Sequence, residues 1–242
     1  MIYLNLPVGW AHGWGVCGKY ISLEVARRAS VRLFTSPFDA ESVGDALAVF
    51  ELKRLLPGPA LSREVAASRT VPGPLLQPGG QRLTLLEPGL SGSFTLGYTF
   101  IEDTEMADDF AENAKHFDQL VAGSTWCEQN LRNHGLHNVT TIPQGVDRSI
   151  FFPIDQPREL AADKFIIFSG GKFEFRKGHD LIIAAVRIMQ PRPSDVVLLQ
   201  AWLNPWMSSI KTMRQTRTIN FAPSSANPVE IIPQALNANG IA

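Results

Sequence analysis

The sequence predicts an α/β fold, arranged as two parallel-sheet domains of which the second is incomplete. Three observations carry that expectation. Short β-branched runs alternate with helical patterns, which is the signature of parallel α/β units. The alternation lapses near residue 143 and restarts at Phe165. The chain of 242 residues is 45% hydrophobic, enough to bury a core in one large domain or two.

Element by element, IYLNL reads as a first strand, GKYISLEVARRA as a helix and VRLF as a second strand. Between about residues 57 and 95 the order weakens, because PGP, VPGPLLQPGG and EPGLSGS mark turns and a surface segment. QLVAGS then reads as a strand, STWCEQNLRNHG as a helix and NVTTIP as a strand. Thr125 and Glu128 have capping-box spacing at the start of that helix, and Gly135 can end it in the left-handed conformation. Trp126, Cys127 and Leu131 lie at helical spacing and are expected in the core, while His134 and His137 are expected as capping or surface groups. IPQGVDRSIFFPIDQPREL offers prolines and charges without an apolar period, so the boundary is placed there, between domains 1–155 and 156–242. FIIFSG, HDLIIAAVRIM and DVVLLQ follow as strand, helix and strand. Trp202 and Trp206, with Pro205 between them, are expected to pack rather than to line a groove.

Composition narrows the function. The net charge of −1 offers none of the concentrated cationic surface that nucleic acid or an acidic membrane rewards, so no nucleic-acid partner is expected. Cys17 and Cys127 are the two cysteines, too few for a disulfide framework, which fits a reducing, cytoplasmic setting. No apolar run reaches the roughly 18 residues of a membrane span. Met1 leads into no cationic leader, so the expectation is a soluble protein, with peripheral membrane contact still open.

Two glycine-rich stretches carry the candidate chemistry. In HGWGVCG, residues Gly13, Gly15 and Gly18 satisfy G-x-G-x-x-G before a helix. A dinucleotide site would place the first glycine directly after the strand, with a carboxylate about 20 residues on. Here six residues separate Leu6 from Gly13 and the nearest carboxylate is Asp39, so a nicotinamide dehydrogenase is a minor alternative. In SGGKFEFRKGHD, residues Gly170 and Gly171 permit a turn at the carboxyl end of a strand, and Lys172, Arg176 and Lys177 precede the next helix. Cations are unfavourable at the positive end of a helix dipole unless an anion joins them. A diphosphate would supply that charge and accept from amine and amide donors.

Those residues resemble the retaining family-4 glycosyltransferases of the two-domain GT-B fold. Residues 117–153, FDQLVAGSTWCEQNLRNHGLHNVTTIPQGVDRSIFFP, look like the family's end of the first domain. FSGGKFEFRKGHDLIIAA looks like the first strand, loop and helix of its nucleotide-sugar domain. The resemblance implies transfer of a hexosyl group, with retention, from a nucleotide-diphosphate sugar to an acceptor it does not identify, without a metal or other cofactor. It places the diphosphate-contacting, catalytic cations on Lys172 and Lys177, with Lys where the family commonly has Arg, and Arg176 beside them. It places Gly13, Trp14 and Gly15 on a loop facing the donor phosphates and the acceptor. Glu102 and Asp103 stand where the family often has a histidine near the donor sugar. The family's pair of glutamates, about eight residues apart, has no counterpart after Lys177. Glu230, in SANPVEIIPQAL, resembles only the loop before that motif, so the second domain is expected to be unfinished. The competing expectation is a non-catalytic protein that binds a nucleotide or a partner.

Overall fold

The computed structural model describes residues 1–87, 89–189, 195–204 and 206–241, in two compact units, Met1–Phe151 and Phe152–Ala242. Pro205 lies outside the described residues.

The first unit is an α/β layer built on one parallel sheet with flanking helices, an arrangement consistent with a Rossmann-like domain. In chain order its elements are β1 (Ile2–Asn5), α1 (Gly13–Ala26), β2 (Val31–Phe34), α2 (Ala40–Val43), α3 (Ala46–Leu55), α4 (Pro59–Ser68) and β3 (Pro74–Gly79). There follow β4 (Phe94–Thr99), α5 (Phe110–Ala114), β5 (Gln119–Ala122), α6 (Thr125–Asn133) and β6 (Val139–Thr141). The strands lie in the order β2-β1-β3-β4-β5-β6, every neighbouring pair parallel. The chain runs outward in one direction from β1 to β2 and in the other from β3 to β6. The switch therefore falls between β1 and β3, where open α/β sheets hold ligands beyond the strands' carboxyl ends.

The core explains why these elements form. Leu4, Leu6, Val31 and Leu33 from β1, its following loop and β2 are buried with Val49 and Leu52 of α3. A second cluster joins Leu120 and Ala122 of β5 to Cys127 and Leu131 of α6 and Val139 of β6. Trp126 departs from the expected core position, since it is 50% exposed while Cys127 and Leu131 are buried. The helix begins one residue earlier than its capping-box spacing predicts: Ser124 Oγ accepts from the Cys127 amide at 3.1 Å. Glu128 instead pairs with Arg132 at 2.9 Å and accepts from the Thr141 hydroxyl. At its other end His134 is the cap and Gly135 takes φ 86°, as the sequence predicts.

The largest surprise is the segment expected to be turns. VPGPLLQPGG contains β3, a central strand, although Pro74 and Pro78 each lack a ladder donor. Successive N–H groups of a strand alternate between its two neighbours, so two prolines four residues apart withhold donors from one side only. The ladders are unequal in the same sense: β3 meets β4 over six register pairs and β1 over two.

The second unit contains β7 (Phe165–Gly171), α7 (His179–Met189), β8 (Val196–Trp202), α8 (Met207–Ile210) and α9 (Pro228–Asn237). The strands β7 and β8 are parallel, with seven register pairs from Phe165↔Val196 to Gly171↔Trp202. Its core gathers Phe173, Ile183, Trp202, Ile210, Met213, Ile231, Ile232 and Ala235. SANPVEIIPQAL is a helix rather than the loop its family resemblance implies. Asn227 caps it by accepting from the Val229 amide, and Pro228 at its first turn has no donor to lose there. Glu230 therefore sits in the first turn of α9.

Candidate functional site

Two places collect the candidate residues, one in each unit. In the first unit the loop after β1 folds back on the start of α1. His12 caps that helix, its Nδ1 accepting from the Gly15 amide at 3.0 Å. The Gly9 amide donates to the Gly15 carbonyl at 3.2 Å, and the Trp10 indole donates to the Glu41 carbonyl at 2.6 Å. Two of the three motif glycines serve packing: a Cβ on Gly15 would lie 2.8 Å from the Gly9 carbonyl oxygen, and one on Gly18 2.0 Å from that of Pro7. Gly13, which the family resemblance places on the ligand-facing loop, has nothing within 4 Å and is exposed. Gly13 and Trp14 open the first turn of α1, where a helix offers no internal acceptor for the amides. The Trp14 ring meets Phe100, just past β4, edge-on at a centroid distance of 4.9 Å. Glu102 lies in the loop beyond β4, its amide donating to Gln81 Oε1 at 2.9 Å.

Asp39 is occupied as a helix cap, accepting from the Ser42 amide at 2.8 Å. The carboxylate that a dinucleotide reading needed for ribose is therefore spent on α2. Nor does Cys17 offer a nucleophile, because burial pushes its thiol above the ordinary range and keeps it protonated.

In the second unit the glycines Gly170 and Gly171 close β7, and Gly171 takes φ 120°, a backbone conformation that suits glycine alone. The chain then enters a turn anchored from below. Phe173 is fully buried, stacked on Trp202 at 5.6 Å and tilted against His179 at 5.3 Å. Asn204 donates to the Phe173 carbonyl at 3.0 Å and accepts from the Trp206 amide at 3.0 Å. The Phe175 amide donates to Thr212 Oγ1 at 3.1 Å. A 3-10 turn over Phe175–Lys177 then leads into α7 through Gly178.

The three cations of this turn are unequal. Glu174, which sequence reasoning passed over, buries its carboxylate among them with 5% of the side chain exposed. Its Oε2 lies 3.5 Å from Lys172 Nζ, and its Oε1 lies 2.9 Å from Arg176 Nε at an angle that makes an ion pair without a hydrogen bond. Lys172 Nζ also stands over the Trp206 ring at 5.3 Å. Lys177 is exposed, and among the described residues its amine makes no ion pair. Part of the charge that seemed to call for an outside anion is thus balanced internally. The signal lay in the sequence, as a glutamate two residues from each of two cations, but only the fold shows that it turns inward.

His179 opens α7 with its ring buried; Nδ1 faces the Glu174 carbonyl at 3.3 Å and Nε2 has no partner among the described residues. Burial holds its pKa below the ordinary 6.5, against smaller opposing effects of the Glu174 carbonyl and of the Glu174 and Asp180 charges. The unfolded chain therefore binds a proton first as pH falls, and stability declines from about pH 6.5 downward. Acid titration of thermal unfolding should show this decline, and His179→Phe should flatten it; an unchanged slope in the variant would assign the effect elsewhere.

Among the described residues no group of three or more His, Cys, Asp or Glu side chains is placed to hold a metal ion. No helix among them is long and apolar enough to cross a membrane. No family model and no curated protein matches the chain.

Proposed function

We propose that the chain is of the GT-B type and that its second unit binds the diphosphate of a nucleotide sugar, as in a retaining hexosyltransferase. The observation that carries the reading is the cationic turn at the carboxyl end of β7, where Lys172, Arg176 and Lys177 lie within six residues beside the start of α7. In the reaction the bond between the sugar's anomeric carbon and the phosphate oxygen breaks and the diphosphate keeps the electron pair. The acceptor oxygen bonds to the anomeric carbon on the same face, and its proton passes to the departing phosphate oxygen. Charge grows on the diphosphate as the bond breaks, so fixed cations stabilise the transition state more than the ground state. Lys177, which makes no ion pair among the described residues, is the residue with most to give.

The ion pairs of Lys172 and Arg176 with Glu174 leave less charge for a departing diphosphate, which favours a second reading, nucleotide or partner binding without transfer. Both readings share the binding step, so binding is tested first. Calorimetric titration with UDP-, GDP- and ADP-sugars is expected to give micromolar affinity for at least one. Lys177→Ala should weaken it by roughly 10- to 100-fold, the worth of a charge-assisted contact of about 1.5–3 kcal/mol. Because Lys177 is exposed, its loss should leave stability within about 0.5 kcal/mol. Absence of heat with every donor would overturn both nucleotide readings. Saturable binding without turnover on supplied acceptors would favour the second.

A further inference from the structure

The cationic turn contains a group that neither reading assigns, the buried carboxylate of Glu174. We propose that Glu174 is a positioning residue: it fixes Lys172 and Arg176 side by side as a preset pair of donors for a nucleoside diphosphate. This rests on the diphosphate reading above.

Four observations support it. Glu174 is held deep by its own backbone, flanked by fully buried Phe173, with its carbonyl accepting from the Lys177 amide at 3.1 Å and facing His179 Nδ1. Its carboxylate reaches both cations, 3.5 Å to Lys172 Nζ and 2.9 Å to Arg176 Nε. Those two side chains remain 42% and 47% exposed, so each keeps a face toward solvent. Lys172 is further confined by the Trp206 ring, whose segment Asn204 ties to the same turn.

A carboxylate in this place could either compete with an incoming anion or organise its receptors. Donor arithmetic favours the second. A lysine amine carries three N–H groups, more than one buried carboxylate can use. A diphosphate arriving from the solvent side therefore need not evict Glu174. Both side chains are long and rotamer-rich, and holding them beforehand removes the ordering cost from the binding step.

The experiment compares the whole chain with Glu174→Gln and Glu174→Asp, titrated with UDP, GDP and ADP, with thermal unfolding recorded for each. Glu174→Gln is expected to weaken binding about tenfold, or about 1.4 kcal/mol. Glu174→Asp, which keeps the charge, should restore affinity to within threefold of the parent. An affinity of Glu174→Gln within twofold of the parent, or above it, would overturn the proposal while leaving the diphosphate reading in place. Absence of binding by the parent chain would overturn the reading and the proposal with it. Should Glu174→Gln unfold, the comparison passes to Lys172→Met with and without Glu174→Asp. Because Glu174→Asp keeps the charge that holds Arg176, the double variant should bind within threefold of Lys172→Met, and an added tenfold loss would contradict the proposal.

Discussion

Replacing Gly18 by alanine should destabilise the first unit by about 2 kcal/mol or more, although alanine is the better helix former by roughly 1 kcal/mol. The reason is geometric. A Cβ at this position would stand 2.0 Å from the Pro7 carbonyl oxygen and 3.2 Å from the Leu6 Cβ. The obstacle is backbone, so no rotamer change relieves it. The loop from β1 must move by more than 1 Å, and that loop is tied to α1 by the Gly9–Gly15 hydrogen bond. For a unit of this size the loss corresponds to a fall of about 4–8 °C in Tm. Gly13→Ala is the matched control, since nothing lies within 4 Å of its Cβ, and it should be neutral within about 0.5 kcal/mol. Equal stabilities for the two variants in denaturant unfolding would show that α1 does not pack this closely on the loop. The pairing also separates two meanings of a G-x-G-x-x-G motif, close helix packing at its third glycine and ligand approach at its first.

Phe173→Ala should cost the second unit about 3–5 kcal/mol, the usual penalty for emptying a buried aromatic site. A unit of 91 residues has only about 5–14 kcal/mol to lose at 0.05–0.15 kcal/mol per residue, so its unfolding should move far. Phe173 holds together Trp202, His179 and Phe221 and anchors the backbone between Lys172 and Glu174. Diphosphate binding should therefore fall with stability. Phe168→Ala is the contrast: the side chain is 66% exposed and should change stability by less than about 1 kcal/mol. Calorimetric scans of the two variants decide the matter, and a loss below 1 kcal/mol for Phe173→Ala would mean that the turn is held by something else.

Phe168 and Phe173 also show where the sequence stops being informative. Both are phenylalanines, five residues apart with Ser169–Lys172 between them, and periodicity cannot assign one to solvent and the other to the centre of a core. What the pattern does reveal is the type of element where local signals agree. β1, β2, β5, β6 and β7, with α1, α6 and α7, follow from β-branched runs, helical spacing and Gly135. The misses occur where a long-range contact overrides a local preference. Pro74, Pro78 and their glycines read as turns, yet neighbours on both sides draw them into the sheet. SANPVEIIPQAL has a helix start in Asn227 and Pro228, obscured by Pro233 and by the resemblance to a loop. At the cationic turn the sequence supplies Lys172, Arg176 and Lys177, but not that Glu174 lies buried between the first two. Charge counting adds residues without knowing which of them face one another.

The two prolines of β3 have a consequence for the chain before it has folded. PLLQPG lies in the middle of the finished sheet, where an apolar strand with donors along both edges would also template pairing between chains. Pro74 and Pro78 leave one of its edges short of donors, so the exposed segment cannot be extended on both sides by copies of itself. The fold accepts the defect because only one side of β3 needs a long ladder, and the same defect acts as a gatekeeper against aggregation in a strand that the native sheet goes on to bury.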